Sequence, residues 1–350
     1  MYTLPMNQKL CGSNFWMYAT IAILAFGLGT VSDRLIFDHH KDRHSRQVRD
    51  TGAIATGEYH LINPLLECEV ADGLLDSYKE NFKEDVVEVI DAINSRKDAH
   101  TVAVYFRDLN NGPTFGINDD MDFIPASLLK VPVMMSYYKM SEEDSALLDK
   151  KMTLEKEYEF GESNTQIIRP FEEIKIGESY TNREIIERMI RYSDNQAVSL
   201  LIENLQGKPI RQLYNMLGVR EDVLNGPGGQ LTVKEYAAFF RILFNSSYLS
   251  RNNSEKALDL LTRTVFDQGL KAGVPPYVTV AHKFGEGGTD TEHQIHDCGI
   301  IYYPDHPYLL CVMTRGDDIV KLEKAIATIS GEVYAKIDYL YRDKGNKGAP

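Results

Sequence analysis

The strand-like segments of this chain fall into two groups at opposite ends of the sequence, separated by a long helical stretch. The first group is HTVAVYFRDL and PTFGIN, joined by an Asn-Asn-Gly turn. The second begins at YVTVAHKF and continues into a hairpin over residues 296–315. Residues 127 to about 249 carry mainly helical patterns. Strands at both ends that enclose a helical middle predict one sheet built from both ends of the chain.

Helical patterns also flank the two groups of strands. One covers residues 72–95 and the other, IVKLEKAIATISGEVYAKIDYLY, closes the chain. The predicted fold is α/β in the broad sense, more narrowly α+β: a discontinuous antiparallel sheet flanked by N- and C-terminal helices, with an all-helical domain inserted. The predicted bounds are 61–126 with 265–345 for the sheet domain and 127–264 for the helical domain.

The charge of the chain limits its partners. The 350 residues carry a formal net charge of −13, whereas a protein that binds a phosphate backbone needs a basic surface. The sequence therefore predicts no nucleic-acid partner, and we expect a small molecule or a peptide instead.

Residues 15–31, FWMYATIAILAFGLGTV, form an apolar run without a charge. About 17 to 25 apolar residues span a bilayer as a helix, so the run predicts a membrane anchor after a short segment over residues 1–14. A cleaved signal peptide is the alternative, but the Gly-Leu-Gly sequence is a poor cleavage site. The charged, aperiodic stretch over residues 32–60 is typical of a linker. Its basic residues would normally keep the linker on the cytoplasmic side of the membrane, so the topology has to be inferred from the function.

Cys298 and Cys311 lie in the predicted hairpin. Folding the hairpin symmetrically places them opposite each other, where a disulfide is feasible. Two buried free thiols on adjacent strands are the alternative.

Three short motifs carry polar chemistry. Ser127 and Lys130 are three residues apart at a predicted helix start and share a face, so the amine can activate the hydroxyl. The spacing alone does not decide this, because SYYK at residues 136–139 repeats it. Lys283 and Gly285 enclose the third motif, KFG, at a strand end where a glycine lets a substrate backbone approach.

The second motif is Ser-Asp-Asn at residues 193–195. It follows a helix that is well signalled by a capping box, in which Thr181 is the N-cap and Glu184 stands three residues later. A hydroxyl and an amide at the break after this helix are suited to relay a proton and to hold a substrate amide.

The order of these motifs, S-x-x-K, S-D-N and K-x-G, resembles that of serine β-lactamases and penicillin-binding proteins, and within them the class A β-lactamase-like branch. The resemblance extends from about Val102 to the last helix and includes FIPASLLKVPVM, GESYTNREIIERMIRYSDNQA and GVPPYVTVAHKFGEGG. It implies a serine acyl-enzyme hydrolase acting on a β-lactam or a related peptidoglycan-type amide.

The resemblance also implies roles for individual residues. Ser127 would be acylated and Lys130 would take or relay its proton. Ser193 would pass a proton to the leaving nitrogen, with Lys283 lowering the cost of charge there. Asn195 would bind the amide of the substrate side chain.

The same resemblance places the oxyanion between two backbone N–H groups, those of Ser127 and Glu286, with Gly285 just before the second. The chain departs from the family at Phe284, because threonine or serine usually stands there and helps to bind the substrate carboxylate. Glu286 adds a negative charge nearby, and Arg315 in MTRG is the candidate for a compensating cation.

Glu221 is the candidate base for deacylation, since EDVLN over residues 221–225 fits the E-x-x-L-N pattern of class A β-lactamases. The surrounding loop is shorter than usual in that family, so a surface role for Glu221 is the alternative. Without a base the acyl-enzyme would persist, and the protein would act as a D,D-peptidase-like enzyme or as an acylable penicillin-binding or sensor protein.

No metal site or cofactor is expected, because EHQIHD over residues 292–297 lacks the ligand spacing of zinc motifs. The function implied by the resemblance predicts a single-pass anchor in the cytoplasmic membrane with the catalytic domain on its outer side.

Overall fold

A computed structural model describes residues 59–64, 73–110, 113–158, 168–205, 207–220, 223, 229–289 and 292–342. The predicted anchor, most of the linker and Glu221 lie outside these residues. Among the described residues, no helix combines the length and the apolar character that a membrane crossing requires.

Eight helices are described: α1 (Gly73–Ser95), α2 (Lys130–Ser141), α3 (Asn182–Arg191), α4 (Asn195–Leu205), α5 (Lys208–Leu217), α6 (Val233–Phe244), α7 (Arg251–Thr262) and α8 (Ile319–Tyr341). The strands are β1 (Thr101–Asp108), β2 (Thr114–Ile117), β3 (Asp122–Phe123), β4 (Lys151–Thr153), β5 (Ser179–Thr181), β6 (Leu231–Thr232), β7 (Val280–Gly288), β8 (His293–Ile301) and β9 (Tyr308–Gly316). Short 3₁₀ turns cover Ala126–Leu129, Leu147–Asp149 and Leu270–Gly273.

The main sheet joins the two ends of the chain. Its order is β2-β1-β9-β8-β7, and every neighbouring pair is antiparallel. β1 pairs with β9 from Thr101 opposite Arg315 to Asp108 opposite Tyr308. The predicted discontinuous antiparallel sheet with flanking terminal helices is confirmed. The proposed domain bounds remain a prediction.

Apolar side chains cover both faces of the main sheet. On one face α1 and α8 pack against the strands, with Phe82, Phe106 and Phe115 in aromatic contact. On the other face the helices between β3 and β7 form a second cluster, which includes Met134, Phe239 and Leu258. The sheet therefore lies between the terminal helices and the inserted ones, and β2 and β7 are its two edge strands.

The predicted hairpin is formed by β8 and β9. Cys298 lies directly opposite Cys311 with their Cα atoms 4.0 Å apart, and the two are joined as a disulfide. Of the two alternatives that the sequence left open, the structure has the bridge.

The predicted capping box at the start of α3 is confirmed. The Thr181 hydroxyl accepts from the Glu184 N–H at 3.2 Å, and the Thr181 N–H donates to the Glu184 carboxylate at 2.8 Å. A second box that the sequence analysis missed begins α6, with Thr232 as N-cap and Glu235 as its partner. Both boxes satisfy N–H groups that a helix start would otherwise leave unpaired.

We expect Thr181→Ala to lower the free energy of unfolding by about 1 kcal/mol, because the start of α3 loses its N-cap. Thr328→Ala is the matched control, since the Thr328 hydroxyl bonds the Lys324 carbonyl within α8 and caps nothing. Urea denaturation of the purified full chain measures both. An equal loss of stability in the two variants would contradict the capping role.

Candidate active site

Ser127 lies in the 3₁₀ turn Ala126–Leu129, and α2 begins three residues later at Lys130. Residues three apart eclipse each other in a 3₁₀ turn, so the two side chains point the same way. The Lys130 Nζ is 2.8 Å from the Ser127 Oγ. The turn is held from below, because the Tyr236 hydroxyl donates to the Leu128 carbonyl at 2.9 Å.

The Lys130 amine is surrounded by oxygens. Besides Ser127, its Nζ contacts the Ser193 Oγ at 3.0 Å, the Ser193 carbonyl at 2.7 Å and the Asn195 Oδ1 at 2.7 Å. The side chain is only 2% exposed. These contacts fix the amine beside the hydroxyl that the sequence identified as the nucleophile.

Burial changes the protonation of this amine. Desolvation lowers the pKa of Lys130 to about 7, against the opposing attraction of the Asp194 and Glu286 carboxylates. A large part of Lys130 is therefore neutral at pH 7, and a neutral amine can accept the proton of the Ser127 hydroxyl.

Ser193 lies at the break between α3 and α4 and has a positive φ of 58°. Non-glycine residues rarely adopt this conformation, and here Asp194 holds it. The buried Asp194 carboxylate accepts from the Ile174 N–H at 2.8 Å and from the Ala197 N–H at 3.1 Å. Burial raises the pKa of Asp194, although these N–H groups oppose the shift. The sequence named Asp194 only as the middle of a motif; its anchoring role was missed.

Lys283 reaches the same hydroxyl from β7. Its Nζ is 3.0 Å from the Ser193 Oγ and 2.7 Å from the Phe284 carbonyl. The Ser193 hydroxyl therefore lies between two amines, each at 3.0 Å. Burial, together with the nearby charge of Lys130, brings the pKa of Lys283 well below its ordinary value. This arrangement can carry a proton between the two lysines through one hydroxyl.

β7 runs directly against the serine turn. A Cβ placed on Gly285 would lie 2.8 Å from the Leu128 Cγ and 3.0 Å from the Pro125 carbonyl oxygen. Only glycine permits this approach, which brings the strand that carries Glu286 next to Ser127.

The second S-x-x-K pair has ordinary helix contacts. The Ser136 hydroxyl donates to the Pro132 carbonyl at 2.8 Å. The Lys139 amine contacts the Glu142 carboxylate at 2.8 Å and the Tyr248 carbonyl at 3.0 Å. Identical spacing thus gives two different environments, and only the first pair meets the other motifs.

The remaining candidates lie around this centre or outside the described residues. The Arg315 guanidinium donates to the Asp122 carbonyl and lies 4.5 Å from the centre of the Phe123 ring. The Phe284 ring stacks on Phe266, with centroids 4.3 Å apart. The predicted roles of Arg315, Asn195 and Glu286 in substrate binding remain predictions, as does that of Glu221.

The histidines near KFG have protein partners. His282 Nδ1 pairs with the Asp297 carboxylate at 2.9 Å, and His296 Nε2 contacts the Ile124 carbonyl at 3.0 Å. Burial lowers the pKa of His296 to about 4. The part of the chain that the structure describes holds no group of three or more His, Cys, Asp and Glu side chains suited to a metal ion.

A serine hydroxyl beside a buried amine, with a second hydroxyl between two amines, defines a nucleophilic site of the acyl-transfer class. The model of the beta-lactamase enzyme family matches residues 82–337, and the chain belongs to this family. The predicted resemblance to class A β-lactamase-like serine hydrolases is confirmed.

Individual relatives are distant but cover most of the fold. A β-lactamase from Proteus vulgaris is 24% identical over 230 residues, which are 61% of this chain and 74% of the relative. The structure of PBP-A has a TM-score of 0.62 at 23% identity and covers 73% of this chain and 96% of that one. A class A β-lactamase from Mycobacterium abscessus has a TM-score of 0.60 at 23% identity, over 72% and 99% of the two chains.

The shifted pKa of Lys130 predicts how stability depends on pH. Between pH 7 and the ordinary value of 10.5 the unfolded chain binds a proton that the folded chain does not, so stability gained through this group rises with pH. We expect the unfolding free energy of the wild type, relative to Lys130→Met, to increase by about 1 kcal/mol per pH unit between pH 7 and 9.

Urea denaturation at pH 7, 8 and 9 measures this difference. Lys139→Met is the control, because it removes a lysine whose side chain is 42% exposed. A pH-independent difference between wild type and Lys130→Met would show that the buried amine has its ordinary pKa.

Proposed function

We propose that Ser127 attacks the carbonyl of a β-lactam or of a related peptidoglycan-type amide and becomes acylated. The observation that supports this most is the 2.8 Å contact between the Ser127 Oγ and a lysine amine whose pKa is about 7. PBP-A, whose fold this chain shares, has been solved as the acyl-enzyme complex of a variant with penicillin G.

In the proposed acylation every proton passes between neighbouring groups of the site. The Ser127 Oγ forms a bond to the carbonyl carbon while its proton passes to the neutral Lys130 Nζ. The C–N bond of the amide then breaks, and the Ser193 hydroxyl gives its proton to the leaving nitrogen. Lys130 then passes the proton that it took from Ser127 to Ser193, whose oxygen lies 3.0 Å from the amines of both Lys130 and Lys283. The Ser127 and Glu286 backbone N–H groups would bind the oxyanion.

Hydrolysis of the acyl-enzyme is the second step that we propose. Water must attack the ester carbon, and Glu221 is the candidate base. The alternative is a D,D-peptidase-like or acylable sensor protein with little turnover. Phe284 and the short loop around Glu221 favour this alternative, because the first removes a hydroxyl that helps to bind a β-lactam and the second makes the position of a deacylation base unusual for the family.

Incubation of the full chain with a fluorescent penicillin tests acylation. We expect label on the wild type and on Ser136→Ala, whose lost hydroxyl bonds only its own helix, and none on Ser127→Ala. Lys130→Arg should label about 100 to 10,000-fold more slowly, because an arginine cannot serve as the base. The labelling rate of the wild type should rise with pH through about 7, as Lys130 becomes neutral.

The fate of the label separates the two alternatives. Loss of label with release of hydrolysed penicillin, slowed in Glu221→Gln, supports turnover. Label that persists at equal levels in the wild type and Glu221→Gln supports the sensor or peptidase. Equal labelling of wild type and Ser127→Ala would refute the proposed nucleophile.

We further propose that residues 15–31 anchor the protein in the cytoplasmic membrane and that the catalytic domain lies outside it. The run without charges in the sequence supports the anchor. Substrates derived from a cell wall support the outer location.

Membrane fractionation and protease treatment test the anchor and its direction. In a bacterial host we expect the full chain to resist carbonate extraction and a variant without residues 15–31 to be soluble. Proteinase K added to intact spheroplasts should digest the domain. Digestion that requires lysis of the spheroplasts would place the domain in the cytoplasm.

A further inference from the structure

The direction in which a substrate lies follows from the position of β7. This strand is one of the two edge strands of the main sheet, and an edge strand offers backbone groups along which an extended ligand can align. Gly285 brings β7 into contact with the turn of Ser127. An acyl group attached to Ser127 therefore lies along β7, next to residues 284–287.

Lys283, the only amine of this strand, is closed off from such a substrate. Its side chain is 0% exposed, and its Nζ donates to the Ser193 hydroxyl and to the Phe284 carbonyl. The Phe284 ring lies 4.0 Å from the same Nζ. An anion on the substrate could reach this amine only by displacing these contacts.

Phe284 itself offers no donor to an anion. Its ring stacks on Phe266 and is 3% exposed. The residue opposite it on β8 is Asp297, a buried acid paired with His282. The neighbours of Phe284 are thus an aromatic ring, Phe266, and a carboxylate, Asp297.

Glu286 places a carboxylate at the rim of the site. One of its oxygens accepts from the Ile168 N–H at 2.9 Å, so the side chain bridges β7 and the segment that begins at residue 168. Its charge, after that of Asp194, opposes the lowering of the Lys130 pKa by burial. A second anion at this rim would be repelled.

The Arg315 guanidinium is bonded elsewhere than to β7. It is directed to the Asp122 carbonyl and to the face of Phe123. Arg315 lies on β9, two strands away from β7. It is opposite Gln294 on β8, which in turn is opposite Gly287 on β7.

We propose that the site selects acyl donors that carry an uncharged or cationic group, rather than a carboxylate, where the substrate lies along β7, and that Phe284 and Glu286 determine this specificity. The inference rests on the proposed acylation of Ser127 and names the substrate class of that same site.

A matched pair of compounds tests the inference on the full chain: benzylpenicillin and its methyl ester, which differ only in the charge of one group. The second-order rate of Ser127 acylation is measured for each by mass spectrometry and divided by the rate at which hydroxide opens the same compound. We expect the ester to exceed the acid by about tenfold or more after this correction.

Two variants locate the cause. Glu286→Gln removes the charge but retains an acceptor for the Ile168 N–H, and it should reduce the ester-to-acid ratio about tenfold. Phe284→Thr supplies a hydroxyl and should also reduce the ratio. Glu292→Gln, which removes the same charge at the end of the β7–β8 hairpin, should leave the ratio unchanged. Each ratio is internal to one preparation, so a partly unfolded sample does not alter it.

A corrected ratio of one or less in the wild type overturns the inference, and so does a ratio that neither Glu286→Gln nor Phe284→Thr reduces. If neither compound acylates Ser127, the proposed function itself fails and the inference fails with it.

Discussion

The antiparallel pairing of β1 with β9 is the constraint on which the rest of the molecule depends. Eight residue pairs join strands from opposite ends of the chain, and the helices between β3 and β7 are thereby closed into a loop that must return to the sheet. β7 then forms the edge of the sheet next to β8, where Gly285 lets it contact the turn that carries Ser127. The three polar motifs meet because β1 and β9 pair in one sheet.

Two lysine amines are buried next to each other in this centre, and their desolvation lowers the stability of the folded chain. Desolvation lowers the pKa of both Lys130 and Lys283, and the charge of Lys130 lowers the pKa of Lys283 further. Oxygens of Ser127, Ser193 and Asn195 compensate in part. The same burial leaves an amine able to take a proton near neutral pH. Stability and reactivity are therefore opposed in this site, as is common where a group must have a shifted pKa.

Local signals in the sequence predicted much of this. The strand groups, the capping box at Thr181 and the order of the motifs are short-range patterns, and each corresponds to an observed element. The positive φ of Ser193, the bond from Tyr236 to the Leu128 carbonyl and the stacking of Phe284 on Phe266 were not predictable. They arise where distant segments pack together, and a single sequence carries no periodicity or spacing for such contacts. The repeated S-x-x-K pair shows the same limit, since only tertiary structure distinguishes Ser127 from Ser136.

The reaction centre and its rim rest on different parts of the fold. Ser127, Lys130 and Ser193 are held by a 3₁₀ turn, a helix start and a helix break, and all three are fixed by the inserted helices. Phe284 and Glu286 belong to the edge strand β7, and their side chains contact Phe266 and Ile168 instead. A change at Phe284 or Glu286 can therefore alter which acyl group fits, whereas Lys283 and Gly285 on the same strand contact the serine centre itself. Family membership thus bears on the chemistry of the serine more directly than on the substrate, because the side chains of Phe284 and Glu286 have additional contacts outside the serine turn.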